Sequence, residues 1–216
     1  MTKARNVKYY ALIGVIIVLA ILVLLIAYIL TPRGKPVVPL KPEAYLEIVR
    51  DGDIICRLGD RLWSQMFKEC SFEDKRYSHA GVIRIDNGRI TVIHAEGTTE
   101  LGRDFVKEDA FDDFIEIARA FGIYRTKGID GNLVSSMAME YLNVPFDWQF
   151  DLDDNSKIYC TELLYIILKR LSPTIELKTM RVREFDKTII PLDSISRSEF
   201  FTEVYYIGND YSSSPK

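Results

Sequence analysis

The chain has 216 residues, with 28 Lys and Arg against 31 Asp and Glu, two His and three Cys, and 48% of its residues are hydrophobic. That length and apolar content fit one globular domain with a segment to spare and exclude a disordered or collagen-like chain. Three cysteines are too few for a disulfide-stapled scaffold or a four-Cys zinc module.

Charge is unevenly spread. Residues 1–35 hold Lys3, Arg5, Lys8, Arg33 and Lys35 and no acid, which leaves 23 basic against 31 acidic residues beyond them. Such a domain lacks the basic footprint that a phosphate backbone requires, so no nucleic-acid partner is expected. Tyr9–Leu30 carries no charge over 22 residues. As a helix it reaches about 33 Å, enough for a hydrocarbon core of about 30 Å. It is apolar on every face, unlike a soluble helix. An uncleaved transmembrane anchor is the favoured reading. A cleaved signal peptide competes, although Ala27-Tyr-Ile-Leu-Thr-Pro32 supplies no convincing small-residue cleavage site. Lys3, Arg5 and Lys8 precede the span while Arg33, Lys35 and Lys41 follow it, a balance leaning toward a cytoplasmic N-terminus. The large domain would then lie in the periplasm or outside the cell, on a single-pass membrane protein. Four prolines in residues 31–42 read as a semi-extended stalk. The expected organisation is a short basic segment 1–8, a transmembrane helix 9–30, the stalk 31–42, a domain 43–208 and a flexible tail 209–216.

Within the domain, Arg50–Cys56 reads as a turn entering a strand, and Asp60–Cys70 has helical spacing through Leu62, Met66 and Phe67. Ser78–Glu96 is the informative stretch: two β-branched runs flank Asn87-Gly88, the strongest short hairpin signal. With those two as the loop, paired residue numbers sum to 175. His94 then opposes Gly81, and Glu96 opposes His79. Both histidines fall on one face as diagonal neighbours about 7–8 Å apart, with no side chain at Gly81 between them. A three-residue loop or a bulge would send one of them to the other face.

Further on, Asp151–Ser156 is a polar cluster of potential N-caps, and a helix runs from near Lys157 to Leu171, stopped by Pro173. It puts Cys160 in its first turn or two, where the partial positive charge of a helix N-terminus favours a thiolate and main-chain N–H groups can receive an oxyanion. The competing reading is packing, because residues 160, 164, 167 and 171 form one apolar stripe. Cys56 and Cys70 read as structural, with a disulfide between them left open. The acidic patches Glu108-Asp109 and Asp151–Asp154 read as solvated surface.

These landmarks resemble the permuted papain-like cysteine hydrolases of the NlpC type, the YiiX/YebB-like group. They are Gly52-Asp-Ile-Ile55, Tyr77-Ser-His-Ala-Gly-Val82, Val92-Ile-His-Ala95, Val144-Pro-Phe-Asp147, Tyr159-Cys-Thr-Glu-Leu163 and Ile190-Pro-Leu-Asp193, closed by Phe200–Tyr205. The resemblance spans about residues 50–206. It implies an α+β, circularly permuted papain-like domain with a small antiparallel sheet behind one transmembrane helix. It also implies a cysteine hydrolase cleaving amide or ester bonds without a cofactor. Cys160 would be the nucleophile, His79 the general base and later acid, and His94 the residue orienting His79. The permuted group usually has Glu at that third place, so His94 departs from it and Glu96 is a rival orienter. Asp53 and Asp147 match landmarks but read as structural. The expected partners are the lipid bilayer, a peptide, cell-wall or acyl-lipid substrate, and a membrane protein met through the apolar helix. Two other classes stay open: a non-enzymatic membrane-anchored scaffold on the same fold, and a metal site using His79, His94 and Cys160, which zinc would accept with a water.

Overall fold

A computed structural model describes residues 2–31, 43–97, 104–183 and 186–208. The chain forms two compact units, Met1–Arg33 and Gly34–Lys216. The first is helix α1 (Thr2–Leu30), which contains the apolar stretch Leu12–Ile29. By length and composition it can cross a membrane, and a signal sequence meets the same test. Most of the expected stalk, residues 32–42, and the tail 209–216 lie outside the described residues.

In chain order the second unit comprises α2 (Glu43–Leu46), β1 (Ile54–Leu58), α3 (Leu62–Glu69), β2 (His79–Asp86), β3 (Arg89–Glu96), β4 (Phe105–Ala110), α4 (Phe111–Glu116) and β5 (Ala120–Thr126). It continues with α5 (Gly131–Met139), α6 (Cys160–Leu171), β6 (Met180–Val182), β7 (Lys187–Ile189), α7 (Asp193–Ser196) and β8 (Phe201–Gly208). Six strands form one antiparallel sheet in the order β4-β3-β2-β1-β5-β8, and β6 and β7 pair separately.

The sheet is covered on both faces, so β1 is buried throughout and the middle of β2 and β3 is buried with it. On one face α5 and α6 bury Val134, Ala138, Leu163, Leu164 and Ile167 against Ile54, Ala80, Val82 and Ile93. On the other, Tyr45 and α4 pack Phe111, Phe114 and Ile115 on Ile55, Ile83, Val92 and Phe121. Fully burying an apolar side chain contributes about 1.5–3 kcal/mol, so these two layers hold the sheet rigid.

The hairpin has the expected register. Asp86 pairs with Arg89 and Val82 with Ile93, and Asn87 and Gly88 have φ of 49° and 80°, the left-handed pair of a type I′ turn. That pairing runs only from Asp86–Arg89 to Val82–Ile93. Beyond it β2 stays with β1, through Gly81–Ile55 to His79–Arg57, while β3 stays with β4, through His94–Lys107 to Glu96–Phe105. The two strands fork there.

Helix α3 forms where its spacing places it, but buries none of its residues: Trp63 and Met66 stay exposed. Helix α6 starts at Cys160, three residues later than its polar approach suggests. Its N-cap is Tyr159, whose hydroxyl accepts from the Ile190 N–H at 2.9 Å, and the Thr161 hydroxyl donates to the Ile190 carbonyl at 2.6 Å. Contacts 29 and 31 residues away in sequence set that helix end.

Candidate active site

The fork between β2 and β3 holds both histidines. His79 is the first residue of β2 and is half-buried, and His94 is wholly buried. Gly81 sits between them: a Cβ there would lie 3.0 Å from the His94 Cβ and 2.9 Å from the Ile93 carbonyl oxygen. With that space open, His79 Nε2 meets His94 Nδ1 at 2.8 Å. The other nitrogen of His94, Nε2, lies 2.9 Å from Asp109 Oδ2.

This chain of contacts assigns the protons. A carboxylate only accepts, so His94 carries its hydrogen on Nε2 and presents a lone pair at Nδ1. His79 must then donate from Nε2, which leaves its Nδ1 as a free lone pair. Phe114 packs against both rings, with centroids 5.7 Å from His79 and 5.0 Å from His94. Burial, then the nearby Arg57 and His94, hold His79 well below its usual pKa; burial also lowers His94, against the pull of Asp109. Both imidazoles are therefore neutral near pH 7, the state a general base needs.

Around them runs a charged frame. Arg57, paired with His79 across β1 and β2, donates to Glu96 Oε1 at 2.7 Å and to the Phe114 carbonyl, its guanidinium 4.1 Å from the centre of the Phe114 ring. Lys107 bridges Glu96 at 2.8 Å and Asp109 at 2.9 Å. Glu96, the rival orienter, thus lies beside the histidines with each oxygen facing a cation, while His94 holds Nε2 of His79. Sequence reasoning missed Asp109, Arg57 and Lys107. Asp109 and its neighbour Glu108 are not solvated surface: Glu108 accepts from Arg84 and from the Thr91 hydroxyl. The available signal was the alternation of Phe105, Lys107 and Asp109 along one side of an edge strand.

Cys160 opens α6, which packs on β2 and β3. The nearby main-chain N–H groups of Ala80, Thr161 and Cys160 favour its thiolate. The Ala80 N–H is free for this because the Ile83 N–H points to β1, at the Asp53 carbonyl. Alternation turns the Ala80 N–H toward β3, where the ladder has already opened. The thiol therefore sits beside the residue that follows His79. Burial pushes it up to about 11, outweighing those three donors and Arg57. The expected thiolate is not the resting form: desolvation in the fork exceeds the pull of the helix end, and the thiol must lose its proton to a base as it reacts.

The remaining landmarks are structural. Asp53 is buried and holds Arg125 at 2.7 and 2.9 Å, and buried Asp147 accepts from the Gln149 and Asp151 N–H groups. Among the described residues no disulfide joins the cysteines; Cys56 is buried in β1 and Cys70 caps α3.

Comparison with known proteins agrees with this fold. No curated protein matches the chain. Among solved structures, the crystal structure of the metalloprotein YiiX from Escherichia coli O157:H7 is similar in fold. Its TM-score is 0.63 at 16% identity, over 75% of this chain and 99% of that one. The family model described as permuted papain-like amidase enzyme, YaeF/YiiX, C92 family, matches residues 49–197, from just before β1 to just after α7. With a neutral histidine pair and a buried cysteine brought to one fork of a permuted sheet, the chain belongs to the permuted papain-like amidase family.

Proposed function

We propose that this chain is a membrane-anchored cysteine hydrolase that cleaves an amide or ester bond through an acyl-enzyme. The observation that carries the reading is the run of hydrogen bonds from Asp109 through His94 to His79, which leaves the His79 Nδ1 lone pair unclaimed among the described residues. His79 Nδ1 removes the Cys160 proton as sulfur attacks the carbonyl carbon. The resulting imidazolium returns that proton to the leaving amine or alcohol. Water, deprotonated by the same nitrogen, then releases the acid and restores the thiol. His94 holds the ring and its tautomer through both halves, with Asp109 behind it. Helix α1 anchors the enzyme in the bilayer and can meet a membrane-protein partner there. The N-terminus is cytoplasmic, and the domain faces the periplasm or the exterior, where cell-wall peptides and acyl lipids are the substrate classes.

A metal reading deserves comparison because the YiiX neighbour is described as a metalloprotein. Among the described residues, His79, His94 and Glu96 bring ligand atoms within 4.8 Å of one another, with Glu96 in the place expected of Cys160. These residues do not suit a cation. Both Glu96 oxygens already face positive charge, Arg57 and Lys107, and a metal ion between them would be repelled.

The test uses the full chain in detergent micelles with three probes: stem-type peptides, simple peptide amides and activated acyl esters. Mass spectrometry should find the acyl portion on Cys160, with turnover abolished by Cys160→Ala and His79→Ala. Hydrolysis that survives Cys160→Ala and stops with a chelator would replace this reading by the metal one.

A further inference from the structure

The polar approach to α6 is unused by the chemistry above, and its composition is specific. Residues 151–162 read Asp-Leu-Asp-Asp-Asn-Ser-Lys-Ile-Tyr-Cys-Thr-Glu. Counted from Asp151, oxygen-bearing side chains stand at positions 1, 3 and 5, an aliphatic residue at 8 and a glutamate at 12. A helix begins at position 10. That is the ligand spacing of the calcium loop in helix–loop–helix proteins, whose twelfth residue supplies a bidentate carboxylate from the first turn of the exiting helix.

The fold of the segment bears on the same point. A turn is closed by Asp154 N–H on the Asp151 carbonyl at 3.1 Å, and Asp153 N–H donates to Asp151 Oδ1 at 3.2 Å. At position 8, Ile158 forms a single β-bridge with Phe146 and donates to the Pro145 carbonyl at 2.9 Å, which pins the loop's exit.

An independent observation comes from Glu162, which is only 1% exposed. Its Oε2 accepts from the Tyr159 N–H at 3.2 Å, whereas Oε1 is buried without any hydrogen-bond partner. Among the described residues no Lys or Arg forms an ion pair with Asp147, Asp151, Asp153, Asp154 or Glu162. A buried carboxylate oxygen without a donor, at the end of a segment whose carboxylates accept hydrogen bonds but meet no cationic side chain, is an arrangement that a hard cation relieves.

We propose that residues 151–162 bind a divalent cation of the calcium class, through the side chains of Asp151, Asp153, Asn155 and Glu162 and the main-chain carbonyl of Lys157. Two departures set its strength. Ser156 stands where the pattern has glycine, and it is not among the residues with positive φ. The loop's carboxylates are also not gathered within 4.8 Å of one another, so the ion must contract the loop as it binds. Both place the affinity at the weak end of such loops, with a Kd on the order of 0.1–1 mM. Glu162 lies two residues after Cys160 in the same helical turn, so an ion that draws in Glu162 also fastens the turn that carries the thiol. Binding itself is independent of whether Cys160 is a nucleophile.

The test is calcium binding to the chelator-treated full chain in micelles, followed by calorimetry and by Trp148 fluorescence, three residues before the loop. The expected result is a saturable isotherm with a Kd of about 0.1–1 mM. The unfolding constant should fall about tenfold when calcium is at ten times Kd. Asp153→Ala and Asn155→Ala alter exposed side chains and should leave the folded domain intact while weakening binding at least tenfold, and Glu162→Gln should abolish it. No uptake by the folded protein up to 10 mM calcium, or uptake unchanged in Asp153→Ala and Asn155→Ala, would overturn the proposal.

Discussion

Replacing Asp109 by Asn keeps the size of the side chain and removes only its charge and its purely accepting character. In the native site Asp109 Oδ2 receives both His94 Nε2 at 2.9 Å and Lys107 at 2.9 Å. An amide replaces one carboxylate oxygen by a donor and accepts more weakly at the other, and Lys107 can only donate. If the amide nitrogen turns to His94, that ring must carry its hydrogen on Nδ1, and His79 Nε2 becomes an acceptor. The His79 hydrogen then moves to Nδ1, where the base is needed. His94 is fully buried, so water cannot take over the role of the carboxylate. Losing one charge-assisted hydrogen bond costs about 1.5–3 kcal/mol, or about 10–150-fold in rate. A reversed tautomer raises the loss toward about 10⁴-fold, as in a serine triad that loses its aspartate charge. The assay is the second-order rate of Cys160 alkylation by iodoacetamide at pH 7.5, read by peptide mass spectrometry, with His79→Ala beside it. Asp109→Asn should slow alkylation at least tenfold without unfolding the domain, as judged by circular dichroism. Alkylation within twofold of wild type in Asp109→Asn, with His79→Ala still impaired, would refute the tautomer argument.

Other expectations follow from the same geometry. Gly81→Ala should press the new methyl on His94 and the Ile93 carbonyl, destabilising the domain by about 1–3 kcal/mol in urea unfolding and slowing Cys160 alkylation; unchanged values in both would show that the fork yields. Burial raises and His79, Arg57, His94 and Lys107 together lower the Glu96 carboxyl, which ends at about 2 against an ordinary 4.5. A depressed carboxylate stabilises the fold above its unfolded pKa, and that contribution is lost as pH falls from about 4.5 to about 2. It is worth at most about 3 kcal/mol, so Glu96→Gln should flatten the acid limb of the stability curve in that window, and an unaltered limb would remove Glu96 from the frame. If α1 is an anchor, the intact mass of the protein from the membrane fraction should include residues 2–30; a mature chain starting beyond residue 30 would identify a signal sequence instead.

How much of this site could be read beforehand depended on the range of the interactions involved. The histidine pair was legible because it rests on a local device: Asn87-Gly88 fixes a two-residue turn, and the turn fixes which residues share a face. Asp109 was not, because β4 is a short edge strand with three charged residues in a row and no apolar alternation, and only its pairing with β3 carries Asp109 to His94. The start of α6 was misjudged for a similar reason. Five of the six residues from Asp151 to Ser156 resemble caps, whereas the true boundary is held by Ile190, far along the chain. The ionisation of Cys160 reversed because helix position is visible in a sequence and desolvation is not.

The fork itself explains why these groups meet. An unbroken ladder would use the Ala80 N–H for pairing with β3. Because residues of β2 before Val82 pair only with β1, while β3 keeps β4, one main-chain donor is released. Gly81, at the point of divergence, lets His94 approach His79. The first turn of α6, fixed by its contacts to Ile190, brings Cys160 near that N–H. The cost is local, an unpaired stretch of ladder at one end of a sheet that is packed on both faces. A substitution that re-closed the fork would therefore be expected to stabilise the sheet while expelling the thiol, so stability and Cys160 reactivity should change in opposite directions along such a series.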